Sequence, residues 1–254
     1  MGQNFTAYNY ETILGIRFFQ GSLVEACEKV LCGGLTVAPS GPGLALDLTR
    51  CDEYARSLKI ADLCILDSGL VTLWGKMFIK RKLIRISGLA FLKYFLLNYD
   101  WKSCSSLWIM PDRHQSNANL KWLKKEFGHL VEDNLVYIAP KYHLQGKIVD
   151  EDLLDLVVKT RPRFIFIQLG GGVQERLGLF LKESFSSESS IICTGAALAF
   201  LSGQQVKIPN WADYLFSGWI FRCIYRPKIY LPRYLKAFRL FYLLFRYGKK
   251  SPHS

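Results

Sequence analysis

The chain has 254 residues, half of them hydrophobic and 14% aromatic, which suffices for one large packed core and excludes extended disorder. Its 33 Lys and Arg outweigh 21 Asp and Glu, and the formal charge of +12 calls for an anionic partner: nucleic acid, a phospholipid surface or a phosphorylated small molecule. Seven cysteines form no C-x-x-C pair and four histidines fall in no ligand spacing, so free thiols in a reducing compartment and no metal site are expected.

The first ten residues are polar and lack the apolar centre of a signal peptide. No run of about 18 apolar residues occurs, so no membrane span is expected. A first strand is predicted over 12–19 and a helix over 22–31, with Ser22 as N-cap. A strand over 35–38 enters the loop Pro39-Ser40-Gly41-Pro42-Gly43, and a helix follows over 44–58. The apolar run Leu63 to Leu66 then ends in Asp67-Ser68-Gly69. It reads as a short buried strand with a carboxylate at its carboxyl end. Asp67 there serves as a base, a ligand holder or the N-cap of the next helix, and the residues alone leave the three open.

A helix over 69–80 ends in the basic run Lys80-Arg81-Lys82, and a second helix over 89–98 follows Arg85-Ile86-Ser87-Gly88. Strands over 107–111, 135–138, 163–169 and 191–194 alternate with helices over 115–127, 150–159 and 174–184. Such alternation predicts an α/β fold, a Rossmann-like parallel sheet with helices on both faces. Composition breaks near Pro209-Asn210-Trp211. The expected organisation is an α/β domain over 1–210 and a basic, aromatic helical appendage over 211–254.

Several stretches could carry chemistry. Leu169-Gly170-Gly171-Gly172-Val173-Gln174-Glu175 ends a strand and opens a helix, which suits a backbone approached by a phosphate or a plain tight turn. It fits neither a P-loop nor G-x-G-x-x-G. No G-x-S-x-G is present, against an α/β-hydrolase. Thr194 to Gly203 is rich in small residues and suits either a sugar or close helix packing. From Arg222 to Lys250 there are nine basic residues and no acid. Arg222, Arg226, Lys228 and Arg233 form either a solvated basic face or a diphosphate clamp. Phe238, Leu240, Phe241, Leu243, Leu244 and Phe245, beside Lys236, Arg239 and Arg246, suit a helix lying on anionic lipid better than a nucleic-acid groove.

Taken in order, these pieces resemble the WecG/TagA/CpsF glycosyltransferases. The matching residues are Leu14-Gly15, Ala38-Pro39-Ser40, Ala61-Asp62 with Asp67-Ser68-Gly69, Arg85-Ile86-Ser87-Gly88 and Gly170 to Glu175. They continue through Gly195-Ala196, Ser202-Gly203, Lys207-Ile208-Pro209-Asn210-Trp211 and Gly218-Trp219-Ile220-Phe221-Arg222. The resemblance implies inverting transfer of a sugar from a UDP-sugar to a polyprenyl-diphosphate-linked acceptor in exopolysaccharide or cell-surface glycan synthesis. It implies no required metal, a protein peripheral to the cytoplasmic membrane's inner face, and an appendage that completes the site. Asp67 matches the family's base. Ser40, Arg85, Gly170, Gln174, Glu175, Lys207, Arg222 and Arg226 are the residues expected to hold the substrates, and a homo-oligomer stays open.

This sequence departs from the family pattern. Asp-Gly is Asp67-Ser68-Gly69, the polar residues flanking Pro39 are Ala38 and Ser40, and a usual acid is Ala199. These departures motivate a rival expectation, a catalytically silent binding or scaffold subunit at the membrane.

Overall fold

The computed structural model describes residues 8–185, 188–204, 223–224 and 227–252. The chain opens with a hairpin, β1 (Tyr10–Ile13) against β2 (Ile16–Phe19), followed by α1 (Leu23–Val30) and β3 (Gly34–Val37). Next come α2 (Gly41–Leu46), α3 (Asp52–Ile60), β4 (Leu63–Cys64), α4 (Gly69–Phe78), α5 (Gly88–Asn98), β5 (Ser106–Met110) and α6 (Arg113–Phe127). β6 (Val136–Ile138), α7 (Glu151–Thr160), β7 (Phe164–Ile167), α8 (Val173–Ser184), β8 (Ser190–Cys193) and α9 (Ala197–Leu201) complete the body. Two helices follow, α10 (Pro227–Ala237) and α11 (Arg239–Tyr247).

Six strands form one parallel sheet in the order β4-β3-β8-β7-β5-β6. The expected Rossmann-like α/β architecture is therefore present. The strands are apolar on both faces because helices cover both. In β7, Ile165 and Ile167 pack with Leu153, Val157, Leu177 and Leu181, whereas Phe164 and Phe166 pack with Phe91, Phe95 and Leu123. α2, α3, α7 and α8 thus lie on one face, and α1, α5, α6 and α9 on the other.

Three predicted elements differ. The strand over 12–19 is a hairpin, turned at Leu14 (φ 54) and Gly15 (φ 76). Two successive positive φ values make the tight turn that matches strand twist, and leucine at such a position gives no sequence signal for it. The turn is held from outside: Leu14 N donates to Gly248 O at 2.8 Å and Gly15 N to Lys249 O at 3.1 Å. The helix over 44–58 is two helices, because Asp47 N and Leu48 N both return to Gly43 O and α3 restarts at Asp52.

The third difference is the tail. Leu240, Leu243 and Leu244 are buried in the main core, against α2 and α4, and do not face outward with Phe238 and Phe245. α11 is apolar on two sides, and the side that meets the body is covered. Each buried leucine contributes about 1.5–3 kcal/mol. The outer residues Leu231, Leu235, Phe238, Tyr242 and Phe245 remain 45–64% exposed. They recur at i, i+4, i+7, i+11 and i+14.

This packing predicts that Leu244→Ala lowers the unfolding free energy by about 2–5 kcal/mol. Tyr242→Ser should change it by less than about 0.5 kcal/mol. Urea denaturation of both variants checks the contrast.

Candidate functional site

Five loops leave the carboxyl ends of neighbouring elements and meet. Parallel strands align their carboxyl ends, and ligands of open α/β sheets bind there. A Cβ placed on Gly41, after β3, would lie 3.1 Å from Ser68 Oγ, after β4. One on Gly171, after β7, would lie 3.9 Å from Ser40 Oγ. One on Gly88 would lie 3.4 Å from Ala38 Cβ and 3.6 Å from Thr194 O, after β8. Gly170 and Gly171 are exposed, and a Cβ on Gly170 would meet nothing within 4 Å. The main chain of the glycine loop is therefore open to a ligand.

Three of these loops end in a helix start capped by a serine. Ser40 caps α2, its hydroxyl accepting from Gly43 N; Ser68 caps α4, accepting from Val71 N at 3.5 Å; Ser87 caps α5, accepting from Ala90 N at 3.1 Å. The amino ends of α2, α4, α5 and α8 thus lie around one crevice, and their dipoles favour an anion.

Ser68 decides the role left open for Asp67. A helix start needs one capping side chain, and the extra serine supplies it, so Asp67 is not the cap. Its carboxylate turns to Arg85 instead. Arg85 donates from Nε to the Asp67 carbonyl at 2.8 Å and from one terminal nitrogen to Oδ1 at 3.3 Å. Ile86 N donates to Leu66 O at 3.0 Å, which lays the Arg85 segment alongside the end of β4. The Asp67 side chain is 26% exposed and so reachable from the crevice.

Gln174 and Glu175 are placed differently from the pocket lining that the motif suggests. Both are buried. Glu175 Oε2 accepts from Gly172 N at 2.7 Å and Oε1 from Gln174 Nε2 at 3.0 Å. Gln174 Oε1 accepts from Gly195 N at 2.6 Å. The pair therefore locks the β7 loop to the β8 loop. Gly172 has φ +88, and a Cβ there would lie 3.1 Å from Asp47 Oδ2. Burial pushes the Glu175 carboxyl up to about 7, against its hydrogen bonds.

Sequence reasoning missed Arg176, which is almost fully buried. It donates from Nε to Gly172 O at 2.8 Å, and from its two terminal nitrogens to Gly146 O and His143 O, each at 2.7 Å. The loop after β6 is thereby tied to the glycine loop. The available signal was a charged residue directly before the apolar run Leu177 to Leu181 of α8. Ala199 is buried within α9. Lys207, Arg222 and Arg226 lie outside the described residues.

A profile of the glycosyl transferase WecG/TagA/CpsF family matches residues 11–254, nearly the whole chain. The chain belongs to that family. Its members are glycosyltransferases of polysaccharide and cell-wall glycan synthesis. A sugar-nucleotide donor and a glycan acceptor are the matching partners. No curated protein matches the chain. Among the described residues, no helix is long and apolar enough to cross a membrane.

The Glu175 carboxyl makes a pH prediction. Its folded value lies above the ordinary 4.5, so the folded protein holds this proton more tightly than the unfolded chain. The associated stability is complete below about pH 4.5 and is lost as pH rises through about 7. Between pH 4.5 and 7.5 this group should lower the unfolding free energy by on the order of 3 kcal/mol. Glu175→Gln should remove that part of the slope in urea denaturation, and an unchanged slope would refute the assignment.

Proposed function

We propose that the protein transfers a sugar, with inversion, from a UDP-sugar to a polyprenyl-diphosphate-linked acceptor. The observation that carries this reading is the placement of Asp67. Its carboxylate lies on the crevice, relieved of capping by Ser68 and oriented by Arg85. In an inverting transfer, one base takes the acceptor hydroxyl proton as that oxygen bonds to the sugar's anomeric carbon. The carbon–oxygen bond to UDP breaks, and UDP leaves with the electron pair. Asp67 holds the proton. The charge that develops on UDP needs fixed donors aimed at it. The exposed Gly170–Gly171 main chain, the surrounding helix amino ends and Arg85 supply them, and Lys207, Arg222 and Arg226 complete the set. Glu175, Gln174 and Arg176 keep the loops in register.

The outer stripe of α10 and α11 supports a reaction at a membrane surface. Five exposed apolar residues at helical spacing, flanked by Lys228, Lys236, Arg239 and Arg246, suit burial in the acyl boundary of an anionic leaflet.

Asp67→Asn should lower transfer by at least a thousandfold while leaving UDP-sugar affinity within about threefold, read by radiolabelled transfer and by calorimetry. Full activity in that variant would sink the base assignment. Failure of the parent chain to bind any UDP-sugar would favour a silent scaffold.

Removing the whole tail would not test the membrane reading, since Leu240, Leu243 and Leu244 belong to the core. Leu235→Ser, Phe238→Ser and Tyr242→Ser together should release the protein from phosphatidylglycerol vesicles in a co-sedimentation assay, with the fold kept. Unchanged sedimentation would refute the lipid role of the stripe.

A further inference from the structure

A second cavity, of about 430 Å³, opens between the β1–β2 hairpin, the far end of α4 and α11. That volume lies in the range of small-molecule sites. Its walls are apolar: Ile13, Trp74, Ile79 and Leu244, with Phe78 and Phe245 at the mouth. The two phenyl rings meet edge to face, 4.5 Å between centroids, and both are more than half-exposed or close to it. Phe245 is also the last member of the outer stripe. One polar group in the wall lacks a partner: the Trp74 indole Nε1 is buried with no hydrogen bond, while its residue is 5% exposed.

The mouth is charged. Glu11, itself buried, forms ion pairs with Arg81 and with Lys249, whose Nζ lies 2.9 Å from Oε1. Lys249, then Arg81, holds the Glu11 carboxyl below the usual range despite its burial. Two cations share one carboxylate, so these three groups sum to a single positive charge. Both cations are largely exposed and can turn toward an anion at the rim.

An apolar cavity with cations at its mouth fits a hydrocarbon chain that ends in a phosphate. α4 links this cavity to the reacting edge. Asp67 precedes its first turn, and Trp74 and Phe78 lie on its last two. Ten helical residues span about 15 Å, a gap that one sugar and a diphosphate bridge. We propose that the cavity takes the first isoprene units of the acceptor, with the phosphate next to the chain held by Arg81 and Lys249. The acceptor then lies along α4, its sugar hydroxyl at Asp67 and its chain leaving toward the exposed stripe. This assignment rests on the transferase reading.

The test is calorimetric titration of the full chain with farnesyl phosphate and, in parallel, with single-chain lysophosphatidic acid, both below their micelle-forming concentrations. Saturable 1:1 binding of farnesyl phosphate is expected, tighter than that of lysophosphatidic acid. Arg81→Gln combined with Lys249→Gln should weaken it at least tenfold, and Phe78→Ala at least threefold, with thermal unfolding confirming that each variant folds. No saturable binding, binding that the variants leave unchanged, or a preference for lysophosphatidic acid would overturn the assignment. The titration needs neither donor nor turnover. A chain that transfers sugar without binding farnesyl phosphate would overturn the cavity assignment alone. A chain that binds it and transfers nothing would overturn the transferase reading, and with it the acceptor role, and would leave the cavity as a prenyl-phosphate site.

Discussion

The pairing of β3 with β8 is the contact on which the crevice depends. Gly34–Val37 lies beside Ser190–Cys193 in parallel register, and the two segments are far apart in the chain. Their ladder brings the Ser40 loop next to Thr194 and Gly195. It also carries β4 and Asp67 on one side, and β7 with its glycine loop on the other. Without it, the serine-capped loops would still have their caps, but no common crevice. Such a long-range parallel contact closes a large loop before it returns any hydrogen bonds, so it forms at a cost in chain entropy.

The crevice is built by division of labour among short polar side chains. Three serines take over helix capping, which any of several residues could do. Glu175, Gln174 and Arg176 bind loop amides and carbonyls from inside the core, where an unpaired polar group would be costly. Among the described residues, the exposed glycine backbone, Arg85 and the Asp67 carboxylate face the crevice. The serine after Asp67 is what makes this division visible.

The sheet was legible because buried parallel strands leave continuous apolar runs between turn signals, as in Phe164–Ile167 and Ser106–Met110. Order and spacing of the motifs likewise placed Asp67, Arg85 and the glycine loop in one family pattern. Other features left no trace in the residues. The hairpin turn at Leu14 is stabilised by Gly248 and Lys249, distant in sequence. The break between α2 and α3 contains no proline, and Gly43 precedes it by a full turn. The tail is apolar on two faces, and only tertiary contact decides which face is covered. Glu175 stayed open between a ligand and a first-turn acceptor, because a carboxylate opening a helix is indistinguishable, in sequence, from one that caps it.

The strand order also dictates how the sheet is assembled during synthesis. β4 and β3 can pair early, and β5 and β6 can pair soon after, but β7 and β8 sit between these two halves and emerge later than both. At 5–20 residues per second, β3 keeps one open edge for roughly ten to thirty seconds after it leaves the ribosome. An unpaired edge of a hydrophobic strand is a template for intermolecular pairing. The nascent chain is therefore exposed at its centre, and the middle of the finished sheet is the last part to be made.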